Sequence, residues 1–207
     1  MALIKGTGVT SGDDVDVKVS EAGTLITIDQ RVIWTAKGYG YQAMATAAVA
    51  ALVVRPTTTA IATIRNNSST MNLVIDEVFA HNLVTTAAVG FSNIWLCSHP
   101  AGMATITNDI TVRNSMNGQG AGGSSAFFDN GATVTDDGWF PWPDVTAEAE
   151  PTGVLPGAVA LSRVGGRIIV PPTGGLSASV VSSVTGNTFC VGFRWYEVPV
   201  IELRNKG

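Results

Sequence analysis

Residues 188–198 read TFCVGFRWYEV, and their alternation decides the fold class. Phe189, Val191, Phe193 and Trp195 fall on one face of an extended chain, and Cys190, Gly192, Arg194 and Tyr196 on the other. Strand side chains alternate with period 2, so this segment is a strand whose heavy apolar face turns to a core. Just upstream, Leu176, Ala178, Val180, Ser182 and Val184 alternate against Ser177, Ser179 and Ser183. The link between the two runs carries Gly186-Asn187, a tight-turn pair, which predicts a hairpin over residues 176–198.

Working outward, Arg167–Val170 predicts a short strand ended by Pro171-Pro172, which cannot donate to a ladder. Further strands are expected at 57–65, 71–80 and 91–98. In the second of these, Asp76-Glu77 breaks strict alternation, as at a bulge or a sheet edge. Shorter candidates lie at 15–19, 24–28, 104–112, 131–135 and 157–163. The Ala-rich run 41–54 reads either as a helix or as a strand among close neighbours, and its Ala content tilts the reading toward helix. Residues 114–131, rich in Gly, Ser and Asn, read as a loop. Many short strands punctuated by 23 Gly and 9 Pro make the chain all-β, a sandwich or barrel.

Composition bounds the function. Of 207 residues, 14% are charged, against about 25% in an average soluble domain. Hydrophobic residues reach 45% and mean hydropathy is +0.27. The net charge of -4 and the lack of a basic tract argue against nucleic acid as partner. The apolar run from Ala43 to Val54, broken by Thr46 and closed by Arg55-Pro56, is too short for a membrane span of about 20 residues. The N-terminus, MALIKGTGVTSGDD, lacks the apolar centre of a signal peptide. What remains is a chain whose surface is covered by copies of itself or by other proteins. Cys97 and Cys190 lie in apolar runs and are expected as buried free thiols rather than as a disulfide.

Chemistry-bearing patterns are sparse. His81 and His99 do not form a ligand cluster, and Cys97-Ser98-His99 lacks a spaced partner pair, so no metal site and no cofactor are expected. No nucleophile elbow, phosphate loop or H-E-x-x-H occurs. Asp13, Asp14 and Asp16 read as a solvated turn rather than a calcium loop, and Asp136-Asp137-Gly138 as turn chemistry. Asp144, Glu148 and Glu150 supply carboxylates with no sign that they face each other. No enzyme is read. The unusual segment is DDGWFPWPD, 136–144, where Trp139, Phe140 and Trp142 are stiffened by Pro141 and Pro143. Such a loop caps its own core, anchors a protein partner, or stacks on a sugar, the last reading shared with Tyr39 and Tyr41.

The runs TAIATIRNNSSTMNLVIDEVFAHN, FSNIWLCSHPAG, GRIIVPPTGGLSASVVSS and FRWYEVPV, over residues 57–200, resemble the jelly-roll virion structural proteins of tailed bacteriophages, of the capsid decoration or cement type. The resemblance implies a jelly-roll antiparallel β-sandwich over 57–207 that assembles with itself as a trimer or larger ring. It implies major capsid or other virion proteins as partners, a place in the virion, most often the head, and no catalytic residues. Residues 1–56 fall outside it, as an N-terminal arm and an irregular or β segment. On this reading Leu3 and Ile4 of the arm, with Trp139, Phe140 and Trp142, make the interface contacts. The competing reading is a receptor- or glycan-binding module of a head fibre, tail or baseplate.

Overall fold

Two apolar rows that follow each other along the chain press together from opposite sheets. The computed structural model describes residues 5–7, 14–16, 29–58, 60–84, 90–116, 123–142, 147–149 and 159–203. In chain order the elements are β1 (Lys5–Thr7), β2 (Asp14–Asp16), α1 (Gln30–Ala36), β3 (Gly40–Met44), β4 (Val49–Ala50), β5 (Ala62–Asn66), β6 (Met71–Val84) and β7 (Gly90–His99). There follow β8 (Arg113–Asn114), β9 (Ala126–Asn130), β10 (Phe140–Pro141), β11 (Ala147–Ala149), β12 (Val159–Val170), β13 (Gly175–Ser182), β14 (Thr188–Pro199) and α2 (Val200–Leu203).

β13 pairs with β5 and β7, whereas β14 pairs with β3, β4 and β6. The hairpin expected over 176–198 is therefore an arch that crosses between sheets. Burial explains why. Leu176, Ala178 and Val180 of β13 and Phe189, Val191, Phe193 and Trp195 of β14 share one core cluster. Paired side by side, these rows would form one apolar face with nothing opposite it; arched over, they cover each other. Asn187, fully buried in the arch, accepts from Ala51 N through its carbonyl at 2.8 Å.

The sandwich has two 6-stranded sheets, with neighbours running β12-β6-β14-β3-β8 in one and β10-β7-β13-β5-β9 in the other. The first long strand, β3, lies beside the last, β14, and β5 lies beside β13. β6 then joins β14 and β7 joins β13, with β12 and β10 outermost. That nested, antiparallel order is the winding of a jelly roll.

Several expectations are corrected. Residues 40–50 form β3 and β4, not a helix, because Tyr41 and Ala43 complete the edge of β14 and bury there. Close approach is built into that edge: a Cβ on Gly192 would sit 2.3 Å from the Phe79 ring and 2.9 Å from the Ala43 carbonyl oxygen. Since β3 belongs to the sheet, the sandwich starts before the boundary expected at 56. Within the stretch read as a loop, Ala126–Asn130 forms β9 on the edge of β5. Its neighbour 104–112, expected as a strand, is irregular, and side chains take the place of a ladder. Asp129 Oδ2 accepts from Thr107 N at 3.0 Å, while Asn108 Oδ1 accepts from Phe128 N and Asp109 Oδ1 from Asn130 N, each at 3.1 Å. Residues 131–135 form no strand but run beside 57–58 and 60–61, with Val134 N donating to Thr58 O at 3.0 Å. Part of the N-terminal arm is paired with itself, Lys5–Thr7 against Asp14–Asp16; Leu3 and Ile4 lie outside the described residues.

The irregularity at Asp76 is a bulge inside a central strand. Glu77 faces Arg194 and Ile75 faces Trp195, so Asp76 is the extra residue. On its other side β12 shifts register between Arg163 and Ile168, through Gly165 and Gly166 at φ +56° and +77°. Positive φ suits glycine, and the bulge turns Asp76 outward. Phe193 is fully buried and meets Phe128 of the other sheet edge-on at 5.5 Å. Phe193→Ala is expected to lower the unfolding free energy by about 3–5 kcal/mol. Ile201→Ala, on a side chain 68% exposed, is expected to change it by no more than about 0.5 kcal/mol. Urea unfolding of both variants checks this, and equal small losses would contradict the arched core.

Candidate functional site

The aromatic loop folds back on its own sandwich. Trp139 is buried and packs with Ala60, Cys97 and Trp95 in a small cluster on the outer face of the β7 sheet. Phe140 and Trp142, half-buried, lean on the main core with ring centroids 5.5 Å apart. β10 lies along β7, the Arg167 guanidinium covers the Trp142 ring at 4.9 Å, and Arg55 Nη2 donates to the Trp139 carbonyl at 3.1 Å and to that of Asp137. Capping, one of the three readings of the loop, is thus what its geometry serves. Trp139 is no exposed anchor. Tyr41 is buried in the core, and Lys37 Nζ lies over one face of the half-buried Tyr39 ring at 5.6 Å. Asp13, Asp144 and Glu150 lie outside the described residues, as does the side chain of Glu148.

Beneath the loop lies a polar cluster. Strand alternation places Cys97 and His99 of β7, Ser177 of β13 and Thr63 of β5 on the face away from the core, in register: Ser177 stands opposite both Cys97 and Thr63. Asp136, carried in by the 131–136 segment, closes the group. His99 Nδ1 lies 3.0 Å from Asp136 Oδ2, and Nε2 lies 2.8 Å from Ser177 Oγ, which is 2.9 Å from Thr63 Oγ1. The Gly138 N–H donates to Asp136 Oδ1 at 2.7 Å. That bond, helped by His99, holds the Asp136 carboxyl below its usual range against the opposing effect of burial. Burial, reinforced by the nearby Asp136 charge, pushes the Cys97 thiol up to about 12. Serine, histidine and aspartate in this order have the outline of an acyl-transfer triad. Ser177 is fully buried in the central strand β13, so its hydroxyl meets no substrate in this conformation. His81, by contrast, stands in the other sheet, opposite Cys190.

A second feature is a cavity of about 580 Å³ on the outer face of the other sheet, under α1. Asp29 caps α1, its carboxylate accepting from Arg31 N at 2.9 Å, and the helix lays Trp34 against Tyr196 with ring centroids 5.4 Å apart. Those rings line the cavity with Val74, Asp76 and Arg31. The bulged Asp76 reaches Arg31 Nη1 at 3.4 Å, an exposed pair that orients more than it stabilises. The Trp34 Nε1 is buried without a partner.

The third feature is an apolar end. Val53, Val54, Leu83, Val84 and Phe91 are 44–65% exposed. Ser183 at the start of the β13–β14 arch donates through its N–H to Phe91 O at 2.9 Å. At the end of the arch Thr188 stands opposite Val84, and Leu52 bridges Val181. All these apolar side chains therefore flank one arch.

No family model matches the chain, and no curated protein matches it. Among solved structures, the VP2 subviral particle of infectious bursal disease virus aligns with 99% of this chain at 13% identity and a TM-score of 0.10. The chain spans about half (49%) of that protein's length, and a score so low carries no argument.

Cys97 and His99 at alternate positions signalled a shared face. The partner Asp136, 37 residues on, left no local pattern. The cavity's one trace in sequence was the broken alternation at Asp76. Cys97 and Cys190 are both free and buried, and burial raises both thiol pKa values. Thiolate is the reactive form, so a disulfide-exchange dye at about pH 8 is expected to leave both native thiols unmodified. Both are expected to react once the chain is unfolded; a thiol that reacts promptly in the native protein would contradict this burial.

Proposed function

We propose that this chain is a non-enzymatic structural subunit of a virus particle, an oligomeric capsid decoration protein of the head. The observation that carries the reading is the apolar end around the β13–β14 arch, where Val53, Val54, Leu83, Val84 and Phe91 stand exposed on a chain with only 14% charged residues. An exposed apolar cluster on a charge-poor surface favours contact with other protein, and aromatic groups such as Phe91 are enriched in such contacts. The jelly roll supports the reading more weakly, since the fold serves capsid proteins, lectins and cupins alike. Mechanistically, copies bury these ends against one another or against shell subunits. Each bridge stabilises the particle because it binds the assembled state and not the dissociated one.

A receptor- or glycan-binding module is the second reading, favoured by the cavity under α1. There the Trp34 and Tyr196 rings, with Asp76 and Arg31, supply a stacking surface and polar groups of the kind a saccharide needs. Mass spectrometry and antibody labelling of the purified parent particle decide between them. Regular labelling over the head, with no saccharide retained on a glycan array, is expected. Labelling of fibre tips, with a saccharide lost on Trp34→Ala, would favour the second reading, and absence from the particle would overturn both.

A further inference from the structure

We propose that Cys97, His99 and Asp136 form a binding site for a divalent transition metal ion of the zinc type, which pins the 131–142 segment to the outer face of the β7 sheet. Their ligand atoms all lie within 4.8 Å of one another. Tetrahedral zinc holds S, N and O ligands at about 2.0–2.3 Å, which places the ligand atoms about 3.3–3.7 Å apart. The His99 Nδ1 to Asp136 Oδ2 separation of 3.0 Å is already at that scale, so closing on an ion needs only small side-chain shifts.

The surroundings orient each ligand. The chain from His99 Nε2 through Ser177 Oγ to Thr63 Oγ1 is able to hold the ring proton on Nε2, so that on binding Nδ1 gives up its hydrogen bond to Asp136 Oδ2 and turns its lone pair to the ion. A metal-bound histidine is held in this way by a partner on its other ring nitrogen. The Gly138 N–H occupies Asp136 Oδ1, and Oδ2, which pairs with His99 Nδ1, is the oxygen that turns to the ion. Thiolate and imidazole together select zinc, cobalt or a similar ion over magnesium and calcium. On binding, the S–H bond of Cys97 breaks, a metal–sulfur bond forms, and the proton leaves to solvent. Cys97 and His99 are buried, but the Asp136 side chain is 25% exposed and gives the ion its way in. Three protein ligands leave the fourth position to water. Because Arg55 clamps the Asp137 and Trp139 carbonyls, an ion at Asp136 would fix the same loop from its other side.

The test uses the full chain, reduced, stripped with a chelator and titrated with Co²⁺ alone. One ion per chain is expected, with tetrahedral d–d bands and a thiolate-to-cobalt charge-transfer band. Cys97→Ser is expected to abolish that band and Cys190→Ser to keep it. Loss of affinity in Cys97→Ser and His99→Gln should exceed the roughly 10–100-fold that removal of an outer partner costs, whereas Ser177→Ala should stay within that range. Cys97→Ser, a change of one atom, decides alone where His99→Gln does not fold. No bound cobalt, octahedral bands, or binding unchanged in Cys97→Ser would overturn the proposal and leave the cluster a hydrogen-bonded strut.

Discussion

The burial of β13 against β14 across the sandwich is the constraint on which the rest depends. Phe189, Val191, Phe193 and Trp195 need an apolar row opposite them, and Leu176, Ala178 and Val180 supply it from the neighbouring segment of chain. Once those strands occupy opposite sheets, each becomes the centre on which others pair: β6 and β3 flank β14, while β7 and β5 flank β13. Burying one such side chain stabilises by about 1.5–3 kcal/mol, so the two rows together outweigh any local turn preference in the five-residue link. Loops that cross the two sheet faces and ends then carry what chemistry the molecule has.

Strand positions were legible where β-branched and aromatic residues run between turn signals, as in 71–80 and 91–98, and most clearly where one face is bulky and the other mostly small or polar, as in 189–196. Pairing was not. Alternation reports which face of a strand is buried but not which sheet owns it, so the Gly186-Asn187 link read as a hairpin although it is an arch. Alanine misled in the same way: Ala43 and Ala45 favour a helix by propensity, yet the edge of β14 needed small buried residues there. The Asp76 break was legible as a bulge, and its setting in mid-sheet came only from pairing on both sides.

The candidate sites share a cause. Each arises where a non-strand segment is laid against an outer sheet face: the 134–139 segment over Cys97 and His99, and α1 over Tyr196 and Val74. Such juxtapositions join residues far apart in sequence, which is why the aromatic run at 139–142 left capping, protein contact and sugar stacking all open until its packing was seen. The Trp139 indole contributes by shielding Cys97, Ala60 and Trp95 from water rather than by offering itself to a neighbour. At the arch end, by contrast, Phe91 and its aliphatic neighbours have no cover among the described residues, and the proposed association is placed there.

A chain so poor in ionic groups is suited to assembly, and on the proposed reading the arch end makes the contact. Sedimentation velocity of the full chain, with and without Phe91→Glu, measures this directly. A species of several 21.5 kDa chains is expected, which the substitution dissociates. A single chain at every concentration, indifferent to Phe91→Glu, would contradict it.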